Sequence, residues 1–118
     1  MTTKEIVLQV IDAFDNNDVD KILSFFADDI QWTMKGSTIT VMNGKDEVGK
    51  FFGGMKEIKM VSSTKDHIVV EGNTAAIDGL VQCKGKNGED MAMYYADFYE
   101  LENDKVKTLK SYIVDKKE

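Results

Sequence analysis

Residues 89–101 read E-D-M-A-M-Y-Y-A-D-F-Y-E-L. The stretch is rich in aromatic residues, has no internal Gly or Pro, and offers no N-cap followed by a 3.6-residue stripe. It is therefore read as a long central strand rather than a helix. In a strand, alternate side chains share a face. Met91, Met93, Tyr95, Asp97, Tyr99 and Leu101 then look one way, and Ala92, Tyr94, Ala96, Phe98 and Glu100 the other. Both faces are apolar near the middle, so the strand needs cover on both sides. Asp97 stands out as an acid among apolar neighbours.

Outward from this strand, Gly85-Lys86-Asn87-Gly88 and Glu102-Asn103-Asp104 are turn-forming runs that set it between strands over 74–84 and 105–115. Gly72-Asn73 separates the first of these from a strand over 57–71, bent near Ser62-Ser63-Thr64. Such short connections favour antiparallel hairpins. Upstream, Thr2-Thr3-Lys4-Glu5 has the form of a capping box, and Val7, Val10, Ile11 and Phe14 recur at helical spacing as far as Asp15-Asn16-Asn17. Asn17 or Asp18 can cap a second helix with Val19, Ile22, Leu23 and Phe26 on its apolar side, ended by Ala27-Asp28-Asp29. Residues 30–35 alternate as a half-buried strand, residues 38–42 are β-prone, and Lys45-Asp46-Glu47 opens a third helix burying Val48, Phe51, Phe52 and Met55. Three helices followed by long antiparallel strands give an α+β order, with the helices covering one face of a curved sheet. A second copy of the chain is the simplest cover for the other face, because Tyr94, Phe98, Ile77 and Val81 would otherwise leave an apolar patch in water.

The chain of 118 residues is sized for one domain spanning 1–118. A net charge of −6, with every basic residue a scattered Lys, argues against nucleic acid or an anionic membrane as partner. One cysteine, Cys83, permits no internal disulfide and fits a reducing, cytoplasmic setting. No segment resembles a leader or a bilayer span. One His and one Cys cannot assemble the usual zinc or iron ligand sets, and no phosphate-binding fingerprint surrounds Gly85-x-x-Gly88 or Gly53-Gly54. Neither a metal nor a nucleotide cofactor is expected.

Three segments carry a family resemblance: Phe26-Ala27-Asp28-Asp29-Ile30-x-Trp32, Gly44-Lys45-Asp46-Glu47-Val48-x-x-Phe51-Phe52, and Phe98-Tyr99-Glu100-Leu101 leading to Lys105-Val106. With them the chain resembles the nuclear transport factor 2-like and ketosteroid isomerase-like superfamily, especially its SnoaL-like branch. The resemblance implies a cone in which a strongly curved, mainly antiparallel sheet wraps three N-terminal helices and leaves a pocket, with pairing of copies through the outer sheet face. Activities in the superfamily include isomerisation, dehydration, aldol-type cyclisation and epoxide hydrolysis, and some members only bind or dimerise. Carried over by position, the steroid isomerase base falls on Met34 and the oxyanion-hole tyrosine at about Val10. The second oxyanion donor is matched by Asp97. The epoxide hydrolase mechanism needs an arginine, and the chain has none.

Asp97 is accordingly the candidate catalytic residue. Enclosed by Met93, Tyr95, Trp32 and Met34, its carboxyl would be desolvated and neutral enough to donate to a carbonyl or enolate oxygen; a purely structural bond to a buried neighbour is the alternative. Trp32, Met34, Met93, Tyr95 and Tyr99 are expected to shape a pocket for a small hydrophobic organic molecule. Asp78 and Gln82 join that wall if the strand over 74–84 keeps the family's facing, which is the preferred reading. Hydrophobicity alone would turn Ile77, Val81 and Cys83 inward instead. His67, in a polar neighbourhood, is expected in solvent. Two functions stay open: a cofactor-free isomerase, cyclase or dehydratase using Asp97, and a non-catalytic ligand-binding or dimerisation module.

Overall fold

A computed structural model describes residues 1–116, so the last two positions of the expected domain lie outside the described residues. Helices α1 (Thr3–Asp15) and α2 (Val19–Phe25) precede β1 (Phe26–Lys35) and β2 (Ile39–Asn43). Helix α3 (Lys45–Gly54) is followed by β3 (Lys59–Ser63), β4 (His67–Glu71), β5 (Thr74–Lys84), β6 (Asp90–Glu102) and β7 (Lys105–Asp115). The seven strands form one sheet in the order β2-β1-β7-β6-β5-β3, with β4 also on β5. Every pairing is antiparallel except β1 with β7, which makes the sheet mixed. Only two helices precede the sheet in sequence, since α3 follows its first two strands. No helix among the described residues is long and apolar enough to cross a membrane.

The start of α1 is fixed by its capping box: Glu5 N–H donates to Thr2 Oγ1 at 3.2 Å and Thr2 N–H to Glu5 Oε1 at 2.8 Å, satisfying two amides that no helical carbonyl can reach. Asn17, at φ 56°, then turns the chain, and the Asp18 side chain accepts from Lys21 N–H to open α2. The second helix ends earlier than its apolar spacing suggests. Phe26 to Asp29 belong to β1 and not to a helix end, because Phe26 pairs with Val106 of β7 and is buried there. Strand pairing overrides local spacing at this point.

Strand β6 is the centre of the sheet, paired along most of its length with β5 on one side and β7 on the other. Its inner face meets the core formed by Val7, Val10, Ile11, Ile22, Ile30 and Trp32. Tyr99 and Leu101 are buried in that core, whereas Tyr94 and Phe98 on the outer face are exposed.

The strand expected over 57–71 is two strands, both hydrogen-bonded to β5. The break at Thr64 to Asp66 stays tied to β5: Thr64 N–H donates to the Leu80 carbonyl, Leu80 N–H to Thr64 Oγ1 and Asp66 N–H to the Asp78 carbonyl. The crossing passes directly over Gly79, where any side chain would run into the Thr64 backbone. Gly79→Ala should therefore destabilise the protein by about 2 kcal/mol or more. Denaturant melts would register this as a lower midpoint with an unchanged slope.

Candidate functional site

Between the helices and the inner sheet face lies a hollow of about 600 Å³, within the range that encloses small organic ligands. Six of the expected site residues line it: Trp32 and Met34 from β1, and Met93, Tyr95, Asp97 and Tyr99 from β6. Met55, Met60 and Met91 add to the wall, which is thus largely thioether and aromatic. A second, more open recess lies between the 34–40 segment and the end of β7.

Asp78 and Gln82 do not belong to the hollow. They point to the outer face of β5, so the preferred facing of that strand is corrected. Ala75, Ile77 and Cys83 are the buried positions, and a period of two leaves Asp78 and Gln82 on the opposite side. Each has a polar partner directly across the sheet: Asp78 Oδ1 lies 2.9 Å from His67 Nδ1, and Gln82 Oε1 accepts from Ser62 Oγ at 3.0 Å. His67 is solvent-exposed.

Trp32 is a hub of the core rather than an open platform. Phe14, Phe26, Phe51 and Phe52 surround it at ring-centroid distances of 5.6–6.1 Å. Its indole N–H donates to Ser111 Oγ at 3.0 Å. An indole nitrogen can only donate, so the Ser111 oxygen is the acceptor there and its own hydrogen is free for Asp97, which stands opposite it across β6 and β7. Ser111 is itself buried.

Burial pushes the Asp97 carboxyl up from the ordinary 3.8 to about 6, against the opposing pull of the Ser111 hydrogen bond. Asp97 is partly exposed by area, yet it lines the hollow; the surface it retains faces that apolar space. The two tyrosines differ. Tyr95 donates its hydroxyl to the Thr64 carbonyl at 2.7 Å. Tyr99 is fully buried, and its hydroxyl has no hydrogen-bond partner in the protein. Burial, then the charge of Asp97, hold the Tyr99 phenol well above its usual range, so it is a donor at any physiological pH.

Among the polar residues of the hollow that the sequence reading did not place there are Ser111 and Asp15. The signal for Ser111 was its place among Leu109 and Ile113 on one face of a strand. Asp15 closes α1 four residues beyond Ile11, so its side chain shares the face of α1 that Ile11 presents to the hollow. Among the described residues, no cluster of three or more His, Cys, Asp or Glu could hold a metal ion.

A curved mixed sheet closed over helices around an apolar hollow is the architecture of the nuclear transport factor 2-like fold. Residues 7–109 match the SnoaL-like domain, and the chain belongs to that family. No curated protein matches it in sequence. Among solved structures it is similar to a nuclear transport factor 2-like protein of unknown function from Cytophaga hutchinsonii, at 26% identity and a TM-score of 0.71 over 92% of this chain and 96% of that one. An LEH-like epoxide hydrolase of M. tuberculosis aligns with a TM-score of 0.81 at 12% identity, covering 94% of this chain and 81% of its own. A Catenulispora acidiphila protein with a ketosteroid isomerase-like fold, in complex with trimethylamine, gives a TM-score of 0.80 at 18% identity over 94% and 86% of the two chains.

The raised carboxyl of Asp97 has a thermodynamic consequence. A folded-state value above the unfolded one makes the contribution of Asp97 most favourable below about 4 and progressively lost as pH rises through about 6. Asp97→Asn removes that dependence. The stability of the variant relative to wild type should rise across this window by up to about 3 kcal/mol and level off above it. Urea melts at a series of pH values would measure the difference, and a flat difference would contradict a desolvated carboxyl.

Proposed function

We propose that the chain binds a small, mainly apolar organic molecule bearing a carbonyl or phenolic oxygen, and acts on it as a cofactor-free enzyme of the isomerase, cyclase or dehydratase type. Asp97 is the acid or oxyanion donor. The observation that carries this reading is the pair on the inner face of β6: a carboxyl raised by burial, and two residues on, a buried Tyr99 hydroxyl without a protein partner. A buried donor left unpaired costs about 1–3 kcal/mol, which an oxygen of a bound molecule would recover. A ligand filling the hollow also excludes water and drives Asp97 further toward its neutral, hydrogen-donating form. Trp32, Met34, Met93 and Tyr95 supply the shape of the wall.

One observation favours a second reading, a non-catalytic binding module: the position that the steroid isomerase resemblance assigns to the base is Met34, which cannot take a proton. Titration with β-naphthol, together with turnover assays on a panel of flat enolisable ketones, separates the two. Wild type should bind the phenol, Tyr99→Phe should bind it about tenfold more weakly, and wild type should turn over a ketone that Asp97→Asn does not. Binding without turnover in either protein would leave the binding module. Failure to bind any probe would defeat both.

The outer sheet face supports a further part of the proposal, the pairing of two copies of the chain. Tyr94, Phe98, Tyr112 and Val114 are all exposed there, and Phe98 meets Tyr112 edge to face at 6.0 Å. A contiguous apolar surface of this kind is a typical interface. Wild type should sediment as a dimer at micromolar concentration and Phe98→Arg as a monomer. A monomeric wild type would refute the pairing.

A further inference from the structure

The hollow contains a second carboxyl that the reading above leaves unused. Asp15 ends α1, and its spacing of four from Ile11 turns it into the hollow beside Ile11 and Phe14. Ser63 Oγ donates to its Oδ1 at 2.6 Å, and Lys65 Nζ to its Oδ2 at 3.3 Å. Each carboxylate oxygen can accept about two hydrogen bonds. These contacts therefore orient the group and leave lone pairs available. The Asp15 side chain is 27% exposed and lines the hollow, so it is neither sealed off nor fully solvated. Its charge also acts on the Tyr95 hydroxyl, after burial and Asp97, and on the Tyr99 hydroxyl, after burial, Asp97 and Tyr95, which puts it within electrostatic reach of both. Independently of the acids, Tyr99, whose fully buried hydroxyl has no partner in the protein, borders the same space.

We propose that Asp15 is the proton acceptor of this site, a general base for a flat ketone whose carbonyl oxygen is held by Tyr99 and Asp97. The proposal rests on reading the hollow as a binding site. In the step, a carboxylate oxygen of Asp15 removes a proton from the carbon next to the carbonyl. The electrons of the broken C–H bond form the C=C bond of an enolate, and the negative charge moves to oxygen. That oxygen accepts hydrogen bonds from the Tyr99 hydroxyl and the neutral Asp97 carboxyl. Return of the proton to a different carbon of a conjugated system completes an isomerisation, and no oxidant, reductant or co-reactant is consumed. The base belongs to the helical wall and the donors to the sheet, so a ligand between them presents its C–H to one side and its C=O to the other. A base on α1 also makes one at position 34 unnecessary.

The test is exchange of the α-hydrogens of β-tetralone in deuterated water, followed by proton NMR, with β-naphthol binding measured on the same preparations. Wild type should accelerate exchange. Asp15→Asn should lose about 100-fold or more of that acceleration while still binding β-naphthol. Asp15→Ala should be equally slow and partly recover when formate is added, a response that a merely structural aspartate would not give. Exchange by Asp15→Asn at the wild-type rate overturns the assignment. A wild type that binds β-naphthol but does not exchange overturns the base while leaving the binding site in place, and one that binds neither probe overturns both.

Discussion

The period of two along β6 is the constraint on which the rest of the structure depends. Because β6 is hydrogen-bonded in register to a neighbour on each side, none of its residues can rotate to the other face without breaking two ladders at once. Asp97 and Tyr99 are therefore held inside together, and Phe98 between them is held outside. A polar group at Asp97 is the compromise that this places in the core. The flanking inner positions Met93, Tyr95, Tyr99 and Leu101 are large enough to enclose it, and an apolar residue at Asp97 would pack there at lower cost.

What makes the buried acid tolerable is a short chain of donors from the neighbouring strands. The parallel pairing of β1 with β7 brings Met34 opposite Ser111 and Trp32 opposite Leu109, which lets the Trp32 indole reach across to the Ser111 hydroxyl. The four phenylalanine rings around Trp32 leave its N–H little choice of direction, and that fixes the serine hydrogen toward Asp97. Aromatic packing around β1 thus determines the electrostatics of a carboxyl two strands away in the same sheet. On the same face of β6, Tyr95 anchors the Thr64 crossing over Gly79, so one tyrosine of the face serves architecture while Tyr99 remains without a protein partner.

Much of this was legible in the sequence, because it follows from alternation and capping. The inner and outer faces of β6 and the capping box at Thr2 are readable from spacing, and the family resemblance added Trp32 and Met34 to Met93, Tyr95, Asp97 and Tyr99 around one space. The facing of β5 was also legible, in the apolar run Ala75, Ile77, Val81 and Cys83, and the family's facing led to the wrong choice there. On a strand with Asp78 and Gln82 on one side, the local hydrophobic pattern was the better guide, since each polar residue had a polar partner waiting across the sheet. The end of α2 and the start of β1 were not legible, since only the partner strand β7 decides that Phe26 pairs instead of coiling. Ser111 and Asp15 were hidden for a similar reason: a serine in a strand and an aspartate at a helix end have ordinary local explanations, and only the tertiary fold brings both to the same hollow.

The two carboxyls of the hollow have different surroundings, and that difference bears on how such a fold can divide chemical roles. Asp97 has an apolar wall and one hydroxyl beside it, conditions that favour the neutral acid. Asp15 has a lysine and a serine on its oxygens, polar partners on both sides of the carboxyl. Acid and base of the same side-chain type can then coexist because each wall of the cone sets its own environment, the helix end exposing one group to a cation and the sheet centre withholding the other from water. An enzyme that moved its base from the strand to the helix would need no change in the donors on β6, and Met34 would be free to become part of the apolar wall. That trade leaves the sheet, which carries most of the fold's hydrogen bonds, undisturbed, and places the variable element at a helix terminus where substitution is tolerated most easily.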